Sequence, residues 1–480
     1  MTVAVWPVEP APPAAEVYLL ADFGSTYTKL AAVERGTGRL LATAAAPTTP
    51  GGHTTLGAAA GRARAGVLHG YDAARAALAA TLPGTTFAAE LACSSAGGGL
   101  RLAVVGQERL ISVEAGHRVA LSAGARVVAV TAGPLDPAAV RELAAARPDV
   151  LLLVGGTDGG DEAVLRHNAR RLAAARLRVP IVVAGNAAAR EDVVGMLAAG
   201  RRPVLPTANV LPDLGRLDPG PARAVIRQVF LDHVIGGGKL SRDPRFRALV
   251  RAVTPDAVLD GVSALARALG AADPADPQAE PQSGAVLVVD VGGATTDVYS
   301  AVPHPGEEDP ARHAVADLPE RRTVEGDLGV RWSAPGVVAA AEAGQLPVDG
   351  LAGPAERLAA DPPYLLASTA EEAIDLRLST LAAILAVRRH GRQVTGYGPR
   401  GVTAVVISGG AFRHAASAAR DAALGALLAD PGTRGLIGGA RVVLDRHYVL
   451  APAGLLATAD PDTADALLRR HLLPATAAGA

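Results

Sequence analysis

The stretch that decides the fold is Asp22–Lys29, which reads DFGSTYTK and joins two apolar segments. The segment before it, Val17–Ala21, and the segment after it, Leu30–Val33, have the length and composition of strands. The glycine permits a tight turn, successive backbone N–H groups in such a turn bind anions, and hydroxyls add donors for phosphate oxygens. The stretch therefore predicts a β-hairpin whose turn holds phosphate.

The same pattern occurs again in the other half of the chain. Residues 290–297 read DVGGATTD, follow the apolar strand Ala285–Val289 and precede the strand Val298–Val302. The Asp that ends each first strand is a ligand type for Mg²⁺, usually through water. A third small-residue turn, Ser408–Gly410, follows another buried strand. Two incidental hairpins are the alternative, but the pair of turns favours a site that clamps a nucleotide triphosphate.

Between and after the two hairpins, strands alternate with helices. Asp136 is expected to cap a helix at Pro137–Ala146, and the buried strand Val150–Val154 runs into the glycine-rich turn Gly155–Gly160. Strand, turn and helix in alternation predict a parallel α/β layer. A further helix is predicted at Pro255–Leu269, where small residues are spaced for close packing.

Composition along the chain divides it into four parts. Residues 1–16 are rich in Pro and Ala and are predicted to be a disordered leader. Residues 17–272 form a first lobe with an additional α/β region at about 93–240. Residues 273–284 are rich in Pro and Asp and read as a linker, and 285–480 form a second lobe ending in a helix. The predicted class is α/β, with a mixed sheet flanked by helices in each lobe.

Overall composition limits the kind of protein. A chain of 480 residues should hold two to four domains. The formal net charge of −1 and the aromatic content of 3% argue against nucleic-acid binding. No apolar run approaches the ~20 residues of a membrane helix, and the first residues lack the features of a secretory signal. The single cysteine, Cys93, excludes an internal disulfide and a multi-cysteine metal site. We therefore expect a soluble cytoplasmic protein.

Two residue types are unusually rare. Only Lys29 and Lys239 are lysines among the 46 basic residues, and the chain has three asparagines, at positions 168, 186 and 209. A lysine kept in such a composition indicates a site that needs a compact ammonium group rather than a planar guanidinium, with chance survival as the alternative. Lys29 is the stronger candidate because it lies in the first turn.

The order of these motifs resembles the superfamily of actin, the heat-shock chaperone ATPases and the sugar kinases. The resemblance makes residues 22–29 and 290–297 the two phosphate motifs and residues 406–412 the adenosine motif. Residues 256–269 and 451–459 would be the two connecting helices. It implies an actin-like ATPase fold with the nucleotide in the cleft between the lobes. No Walker-A lysine loop is present, so the chain does not resemble a P-loop protein.

A finer resemblance is to the GlmL family, the glutamate mutase L component, which is also called MutL and is unrelated to the mismatch-repair protein of that name. The stretches that carry it are 22–29, Cys93–Leu100 (CSSAGGGL), Leu153–Gly160 (LVGGTDGG), Gly185-Asn186, Asn209–Pro212 (NVLP) and Gly326–Arg331 (GDLGVR). One departure is Gly98, which makes a glycine triplet where a more mixed loop is expected. The resemblance implies a slow ATPase that reactivates an adenosylcobalamin-dependent mutase by releasing damaged cobalamin.

The resemblance also implies roles for individual residues. Asp22 and Asp290 would lie around Mg²⁺ and the attacking water. Lys29 would offer its ammonium group to the β- and γ-phosphate oxygens. The phosphates and the adenosine would be bound by Gly24, Ser25, Thr26, Thr28, Gly292, Gly293, Thr295, Thr296, Gly409 and Gly410.

Two further features have a structural and a functional interpretation. Cys93 has no histidine nearby in sequence, which favours a small core residue over a nucleophile. Gly155–Gly160 is either a tight strand-to-helix turn or another ligand loop. The eleven histidines form no zinc motif and no motif for direct cobalamin ligation.

Three functions stay open on the sequence alone: an ATPase that serves a mutase, a small-molecule kinase of the same superfamily, and an actin-like scaffold. A kinase needs a carboxylate base, and Asp256 and Asp260 are the candidates at the first connecting helix. For the first function, the expected partners are the mutase subunits, met through a surface within residues 93–240. One reason is that this region holds all three asparagines and Lys239, and the alternative is that its glycine-rich turns only close a parallel sheet. Homo- or hetero-oligomers are both open.

Overall fold

The computed structural model describes most of the chain. The described residues are 3–12, 15–24, 26–48, 66–95, 100–109, 111–123, 125–175, 177–200, 202–214, 216–235, 241, 243–270, 284–302, 319–362, 364, 366–394, 396–397 and 400–473. Ser25, Lys239 and nearly all of the predicted linker 273–284 lie outside them.

Sixteen strands and sixteen α-helices are described. The strands are β1 (Ala4–Pro7), β2 (Glu16–Phe23), β3 (Tyr27–Glu34), β4 (Leu40–Pro47), β5 (Thr86–Ser94), β6 (Arg101–Gly106), β7 (Arg126–Ala132), β8 (Val150–Leu153), β9 (Ile181–Val183), β10 (Val204–Pro206), β11 (Val250–Val253), β12 (Ala285–Val291), β13 (Thr296–Ala301), β14 (Glu320–Glu325), β15 (Val402–Gly409) and β16 (Arg441–Leu444). The helices are α1 (Leu68–Thr81), α2 (Ser112–Ser122), α3 (Pro137–Ala145), α4 (Ala163–Ala174), α5 (Arg190–Ala198), α6 (Gly220–Val229), α7 (Pro244–Leu249), α8 (Thr254–Gly270), α9 (Ala334–Ala343), α10 (Ala352–Ala360), α11 (Thr369–Gln393), α12 (Gly410–His414), α13 (Ser417–Ala429), α14 (Arg434–Ile437), α15 (Leu450–Ala459) and α16 (Pro461–Leu472).

The first compact unit is built on a six-stranded mixed sheet in the order β1-β4-β3-β2-β5-β11. Strands β2, β3 and β4 form the predicted antiparallel meander, while β5 and β11 run parallel to β2. In the first hairpin Asp22 lies opposite Lys29 and Phe23 lies opposite Thr28. The carboxyl ends of β2, β5 and β11 therefore meet at one edge of the sheet.

The second unit repeats this arrangement. Its sheet has the order β14-β13-β12-β15-β16, with an antiparallel meander of β12, β13 and β14 and with β15 and β16 parallel to β12. Asp290 lies opposite Asp297, the same separation as in the first hairpin. The predicted α/β class with mixed sheets is confirmed. The repeated strand order is what the actin-like resemblance requires of a duplicated fold.

A separate parallel sheet is inserted into the first unit between β5 and β11. Its order is β10-β9-β8-β6-β7, and every neighbouring pair is parallel, as the alternation of strands and helices predicted. The chain reverses its direction of winding between β6 and β8, which makes this a doubly wound layer. The predicted cap of α3 is also present, with Asp136 Oδ1 accepting from the N–H of Ala139 at 2.7 Å.

The predicted helices that precede and follow the second sheet are α8 and α15, and they pack closely. A side chain at Gly261 of α8 would come within 2.1 Å of the carbonyl oxygen of Leu450 in α15. Arg469 of α16 also donates to the carbonyl of Ala268 at the end of α8. These contacts explain why small residues occupy one side of α8.

Two predicted boundaries differ from the structure. The leader is not disordered at Ala4–Pro7, because β1 pairs with β4 and the neighbouring Val3 and Val5 pack against the first core. The first unit comprises described residues of Met1–Arg35 and Leu40–Ala257, and the second comprises those of Gly36–Arg39, Val258–Gly306 and Pro319–Ala480. The division thus falls inside α8 rather than at 272, since most of α8 packs on α15.

None of the helices described here has both the length and the apolarity needed to cross a membrane.

Candidate functional site

Each of the two predicted phosphate turns is closed by a backbone hydrogen bond with the same residue spacing. In the first, the N–H of Gly24 donates to the carbonyl of Tyr27 at 3.1 Å. In the second, the N–H of Gly292 donates to the carbonyl of Thr295 at 2.9 Å. Glycine is required in both, because a Cβ at Gly24 or Gly292 would lie 2.7 or 2.9 Å from the accepting oxygen.

The carbonyl groups of the second turn are held by the segment Val330–Ser333. The N–H of Val330 donates to the carbonyl of Gly292 at 3.1 Å. The N–H groups of Arg331 and Trp332 both donate to the carbonyl of Gly293, at 2.8 and 2.9 Å. These bonds direct two successive carbonyl groups of the turn toward the same segment.

The N–H groups of the turn consequently point the other way. In a planar trans peptide the C=O and the N–H point in opposite directions, and no described peptide bond is cis. The N–H groups of Gly293 and Ala294 therefore point away from Val330–Trp332. Among the described residues, none accepts a hydrogen bond from either group. Two adjacent N–H groups directed to the same side of a turn make a candidate anion-binding nest.

Two residues of the GDLGVR motif, Gly329 and Arg331, hold the second turn in this arrangement. A Cβ at Gly329 would lie 2.3 Å from the carbonyl carbon and oxygen of Ala294, so only glycine permits the approach. The guanidinium of Arg331 pairs with Asp375 of α11, which is 5% exposed. Asp327 and Glu325 are both bound by Arg389 of the same helix. The motif thus fixes the second turn to α11.

Asp22 lies at the end of β2 with two donors beside it. The hydroxyl of Thr254, the first residue after β11, donates to Asp22 Oδ1 at 2.6 Å. The Sγ of Cys93, on β5, lies 3.7 Å from the same oxygen. Cys93 is fully buried, as predicted, and burial raises the pKa of its thiol, with the Asp22 carboxylate adding to the effect. A buried neutral thiol is unsuited to act as a nucleophile.

Asp290 occupies the corresponding place on β12. It is in register with Ser408 on β15, and Asp445 follows the last residue of β16, where its N–H donates to the carbonyl of Ile407 at 2.9 Å. Asp290, Ser408 and Asp445 are therefore neighbours in one row at the sheet edge. Asp445 accepts from the N–H of Val449 at 3.0 Å, just before α15, and burial raises the pKa of its carboxyl group to about 6.

The threonine hydroxyls of the two turns divide into two groups. Thr28 and Thr296 are fully buried, and their hydroxyls bond to Thr48 at 3.0 Å and to the carbonyl of Leu328 at 2.7 Å. They lie on the strand face opposite to Lys29 and Asp297, because side chains alternate along a strand. Both hydroxyls make hydrogen bonds inside the protein. The structure therefore does not bring Thr28 together with Asp22, or Thr296 together with Asp290.

Thr26 and Thr295 lie in the turns themselves. Thr26 is exposed, and its carbonyl accepts from the N–H of Thr48 at 2.9 Å, while Thr295 is half-buried. The hydroxyl of Thr295 donates to Asp297 Oδ2 at 2.9 Å. Asp297 in turn accepts from Arg322, with distances of 2.6 and 2.9 Å to Oδ1. This nearly buried ion pair offsets the repulsion between Asp297 and Asp290, which lie opposite each other.

The remaining predicted residues occupy the same sheet edges. Lys29 is half-buried and lies opposite Asp22 in the ladder between β2 and β3. Gly409 ends β15 with φ +141°, and a Cβ there would lie 2.9 Å from the carbonyl oxygen of Val291, so the backbone requires glycine. At Gly410 a Cβ would meet nothing within 4 Å, which leaves open space beside the start of α12.

The kinase alternative loses one of its two candidate bases. Asp256 is 1% exposed and is bound by Arg223 of α6 at 3.2 Å and by Arg227 of the same helix. Both carboxylate oxygens of Asp256 are thus occupied by arginines in the interior, which leaves neither oxygen available to a substrate hydroxyl. No cluster of three or more metal-ligating side chains occurs within the part of the chain that is described.

Gly155–Gly160 forms a strand-to-helix turn from β8 toward α4 that buried asparagines brace. Asn186 accepts from the N–H of Gly159 at 3.1 Å and donates to the carbonyl of Gly160 at 3.0 Å. Asn209 donates to the carbonyl of Gly156 at 2.9 Å. Asn168, Asn186 and Asn209 are at most 3% exposed. The rare asparagines therefore do not mark a partner-binding surface, which corrects one reason for placing that surface at 93–240.

Sequence reasoning missed Thr254, Asp445 and Asp375. Thr254 and Asp445 each follow the last strand of a sheet, and their proximity to Asp22 and Asp290 depends on strand order. The sequence does contain a signal for Thr254 and Asp445, because each immediately follows a short apolar strand that leads toward a predicted connecting helix.

The residues present fit a nucleotide phosphate with Mg²⁺. The nest at Gly293 and Ala294 supplies backbone donors for an anion. Among the described residues no donor bonds to Oδ2 of Asp22, so this oxygen has lone pairs for a metal-bound water. Hydrated Mg²⁺ needs only one or two carboxylates.

The family model and a curated relative give the same family for this chain. The family model described as MutL protein matches residues 18–472. Protein MutL of Clostridium tetanomorphum is 33% identical over 482 residues, which are 95% of this chain and 99% of that protein. The chain is similar in structure to nucleotide-free acetone carboxylase, with 16% identity and a TM-score of 0.41 over 92% of this chain and 70% of the other. It is also similar to a carbohydrate kinase from Novosphingobium aromaticivorans, with 15% identity and a TM-score of 0.31 over 94% and 92%.

Proposed function

The chain belongs to the MutL protein family, and we propose that it binds and slowly hydrolyses ATP in order to reactivate an adenosylcobalamin-dependent mutase. The observation that carries the nucleotide part is the second turn. Its carbonyls are held by Val330–Trp332, and the N–H groups of Gly293 and Ala294 have no acceptor among the described residues. Such donors are preorganised for the phosphate of a nucleotide.

Asp22 and Asp290, at the edges of the two sheets, have different proposed roles. Mg²⁺, when bound, neutralises charge on the phosphate oxygens. Asp22 would hold a water of the Mg²⁺ hydration shell through Oδ2, because Oδ1 is engaged by Thr254. Asp290 would orient the attacking water at the end of β12. Lys29, which lies opposite Asp22 in the hairpin ladder, would offer its ammonium group to the phosphate oxygens.

The mutase part of the proposal rests on family membership. Adenosylcobalamin enzymes that lose their adenosyl group keep a damaged cobalamin in a closed site. A partner that changes conformation with its nucleotide state can open that site. The proposed partner is therefore the mutase, and the proposed product is a mutase able to take up intact cofactor.

The surface that meets the mutase is proposed to lie within 93–240. The inserted sheet supports this, because it has its own hydrophobic core and ends its strands in the loops that hold Gly155–Gly160 and Asn186. In doubly wound sheets, ligands bind outside the carboxyl ends of the strands. Hydrogen exchange with and without a hydroxocobalamin-loaded mutase, in ATP and in ADP, should show nucleotide-dependent protection within 93–240. Protection confined to other residues would contradict this assignment.

The experiment that tests the function measures ATP turnover and cobalamin release together. The chain is incubated with a mutase inactivated by hydroxocobalamin, with ATP, ADP or no nucleotide. The proposal expects slow turnover alone, faster turnover with inactivated mutase, and recovery of mutase activity only with ATP and fresh adenosylcobalamin. Turnover that responds instead to a small hydroxylated metabolite would favour a kinase.

A further inference from the structure

Three neighbouring strand ends in the first unit meet at Asp22. Strands β2, β5 and β11 are adjacent and parallel, with Asp22 on the first and Cys93 opposite it on the second. Thr254 immediately follows the third. Its hydroxyl oxygen lies 2.6 Å from Asp22 Oδ1, and the Cys93 sulfur lies 3.7 Å from that oxygen.

The Thr254 hydrogen bond distinguishes the two oxygens of one carboxylate. A length of 2.6 Å is that of a charge-assisted O–H···O⁻ bond, which is about twice as strong as a neutral one. The thiol of Cys93 adds a weaker donor on the same side. Oδ2 has no donor among the described residues. Rotation of the carboxylate is therefore restrained with one oxygen engaged and the other available.

Thr254 can restrain Asp22 because it is itself held in place. It begins α8, and Asp256, two residues later, is buried against Arg223 and Arg227 of α6. A buried carboxylate bound by two guanidinium groups resists displacement, since movement would leave charge unpaired. The first turn of α8 is thus fixed to α6 by an ion-pair cluster and to β2 by the hydroxyl.

We propose that Thr254 is a positioning residue, whose hydroxyl holds Asp22 so that Oδ2 is presented to the hydrated metal ion. The proposal rests on the function proposed above. It assigns to the start of α8 the task of orienting the carboxylate, and it makes Cys93 a secondary support rather than a reactive thiol. Thr254 itself touches neither substrate nor metal.

The test compares two variants and a control in the full chain. Thr254→Val keeps the shape and removes the donor, whereas Thr254→Ser keeps the donor. Ser263→Ala is the control, because its buried hydroxyl on α8 bonds to the carbonyl of Leu259 and not to Asp22. Mn²⁺ affinity in the presence of ATP is measured by electron paramagnetic resonance. Hydrolysis gives kcat and KM at saturating Mg²⁺, and melting temperature monitors folding.

The expected result separates metal binding from nucleotide binding. Thr254→Val should weaken Mn²⁺ affinity by about tenfold, the cost of a hydrogen bond to a charged group. Its KM for ATP at saturating metal should stay within about twofold of wild type, because the nest is intact. Thr254→Ser should recover most of the affinity, and Ser263→Ala should match wild type. The proposal would be overturned if Thr254→Val bound Mn²⁺ as tightly as wild type. It would also be overturned if Thr254→Ser lost as much Mn²⁺ affinity as Thr254→Val.

A ligand-free measurement distinguishes this proposal from the proposed function. Amide exchange at the ends of β2 and at the start of α8 should be about tenfold faster in Thr254→Val than in wild type or Ser263→Ala. Unchanged exchange would show that the hydroxyl does not hold Asp22, whatever the protein binds. If the wild-type protein binds neither ATP nor Mn²⁺ and amide exchange is still faster in Thr254→Val, the proposed function is wrong. The role of the Thr254 hydroxyl in holding Asp22 would then still be supported.

Discussion

The backbone N–H of Arg331 donates to the carbonyl of Gly293 at 2.8 Å, while the guanidinium of the same residue pairs with the buried Asp375 of α11. One residue thereby links the second turn to the longest described helix, α11. Because the bond uses the carbonyl, the N–H of Ala294 in the same peptide is directed away from Arg331. The orientation of the nest is thus set by the GDLGVR segment, and it can be tested there.

Gly329→Ala should disrupt the nest without altering any polar side chain. The new Cβ would lie 2.3 Å from the carbonyl of Ala294, so the turn must shift. A displacement of ~1 Å in a positioned site costs up to a hundredfold, and we expect ATP affinity to fall by at least about tenfold. Gly439→Ala is the matched control, because its Cβ meets nothing within 4 Å. Equal ATP affinity in both variants would contradict the assignment of the nest.

Asp290→Ala and Asp22→Ala should fail in different ways. Asp290→Ala should lower kcat by about a hundredfold and leave ATP binding largely intact, because the backbone donors of the turn do not depend on it. Asp22→Ala should weaken the Mg²⁺-dependent part of binding. Steady-state kinetics over a range of Mg²⁺ concentrations separates the two. Normal hydrolysis by both proteins would show that the site lies elsewhere.

Lys29→Arg should impair ATP turnover although the charge is kept. A guanidinium is planar and broader than an ammonium group, so it would push the first turn open where Lys29 lies opposite Asp22. We expect kcat/KM to fall by about tenfold. Arg251→Lys, an exposed exchange on β11, is the control and should change neither kcat nor KM. A Lys29→Arg protein with wild-type kinetics would mean that this lysine survived by chance.

His390→Gln should make the protein less sensitive to acid. His390 is fully buried between Ser300 and Thr323, and burial lowers its pKa to about 3. In the unfolded chain the imidazole of His390 is protonated near pH 6.5, whereas in the folded chain it is protonated only near pH 3. Above pH 6.5 this histidine is neutral in both states, and as pH falls from about 6.5 to about 3 it lowers the stability of the folded state by roughly 1.4 kcal/mol per pH unit.

Thermal unfolding between pH 7 and pH 4.5 checks this prediction. The melting temperature of His390→Gln should fall less steeply with acid than that of wild type, even if it is lower at pH 7. His69→Gln, an exposed change on α1, should follow the wild-type curve. Parallel curves for His390→Gln and wild type would show that His390 is not the group responsible.

The hairpins were predictable because turn chemistry is local. An aspartate, a glycine and an apolar strand on each side were enough to predict both hairpins, and the structure adds the register, with Asp22 opposite Lys29 and Asp290 opposite Asp297. The faces of the threonines were assigned less well. Thr28 alternates with Lys29 and turns into the core, although the sequence grouped both with the phosphate-binding residues.

Long-range pairing hid the rest of the site. Thr254 lies 232 positions from Asp22 in sequence, and only the order of β2, β5 and β11 brings them together. The same holds for Asp445 beside Ser408. Rarity also misled the interpretation of the asparagines. Asn186 and Asn209 are kept because buried amides satisfy loop backbone groups, a need that composition does not reveal.

Nucleotide binding is tested most directly by calorimetric titration of the purified chain with ATP, with Mg²⁺ and then with a chelator. We expect one ATP bound per chain with Mg²⁺, weaker binding when Mg²⁺ is removed, and loss of most binding in Gly329→Ala. An absence of ATP binding in the wild-type protein, or binding that neither the chelator nor Gly329→Ala alters, would contradict this expectation.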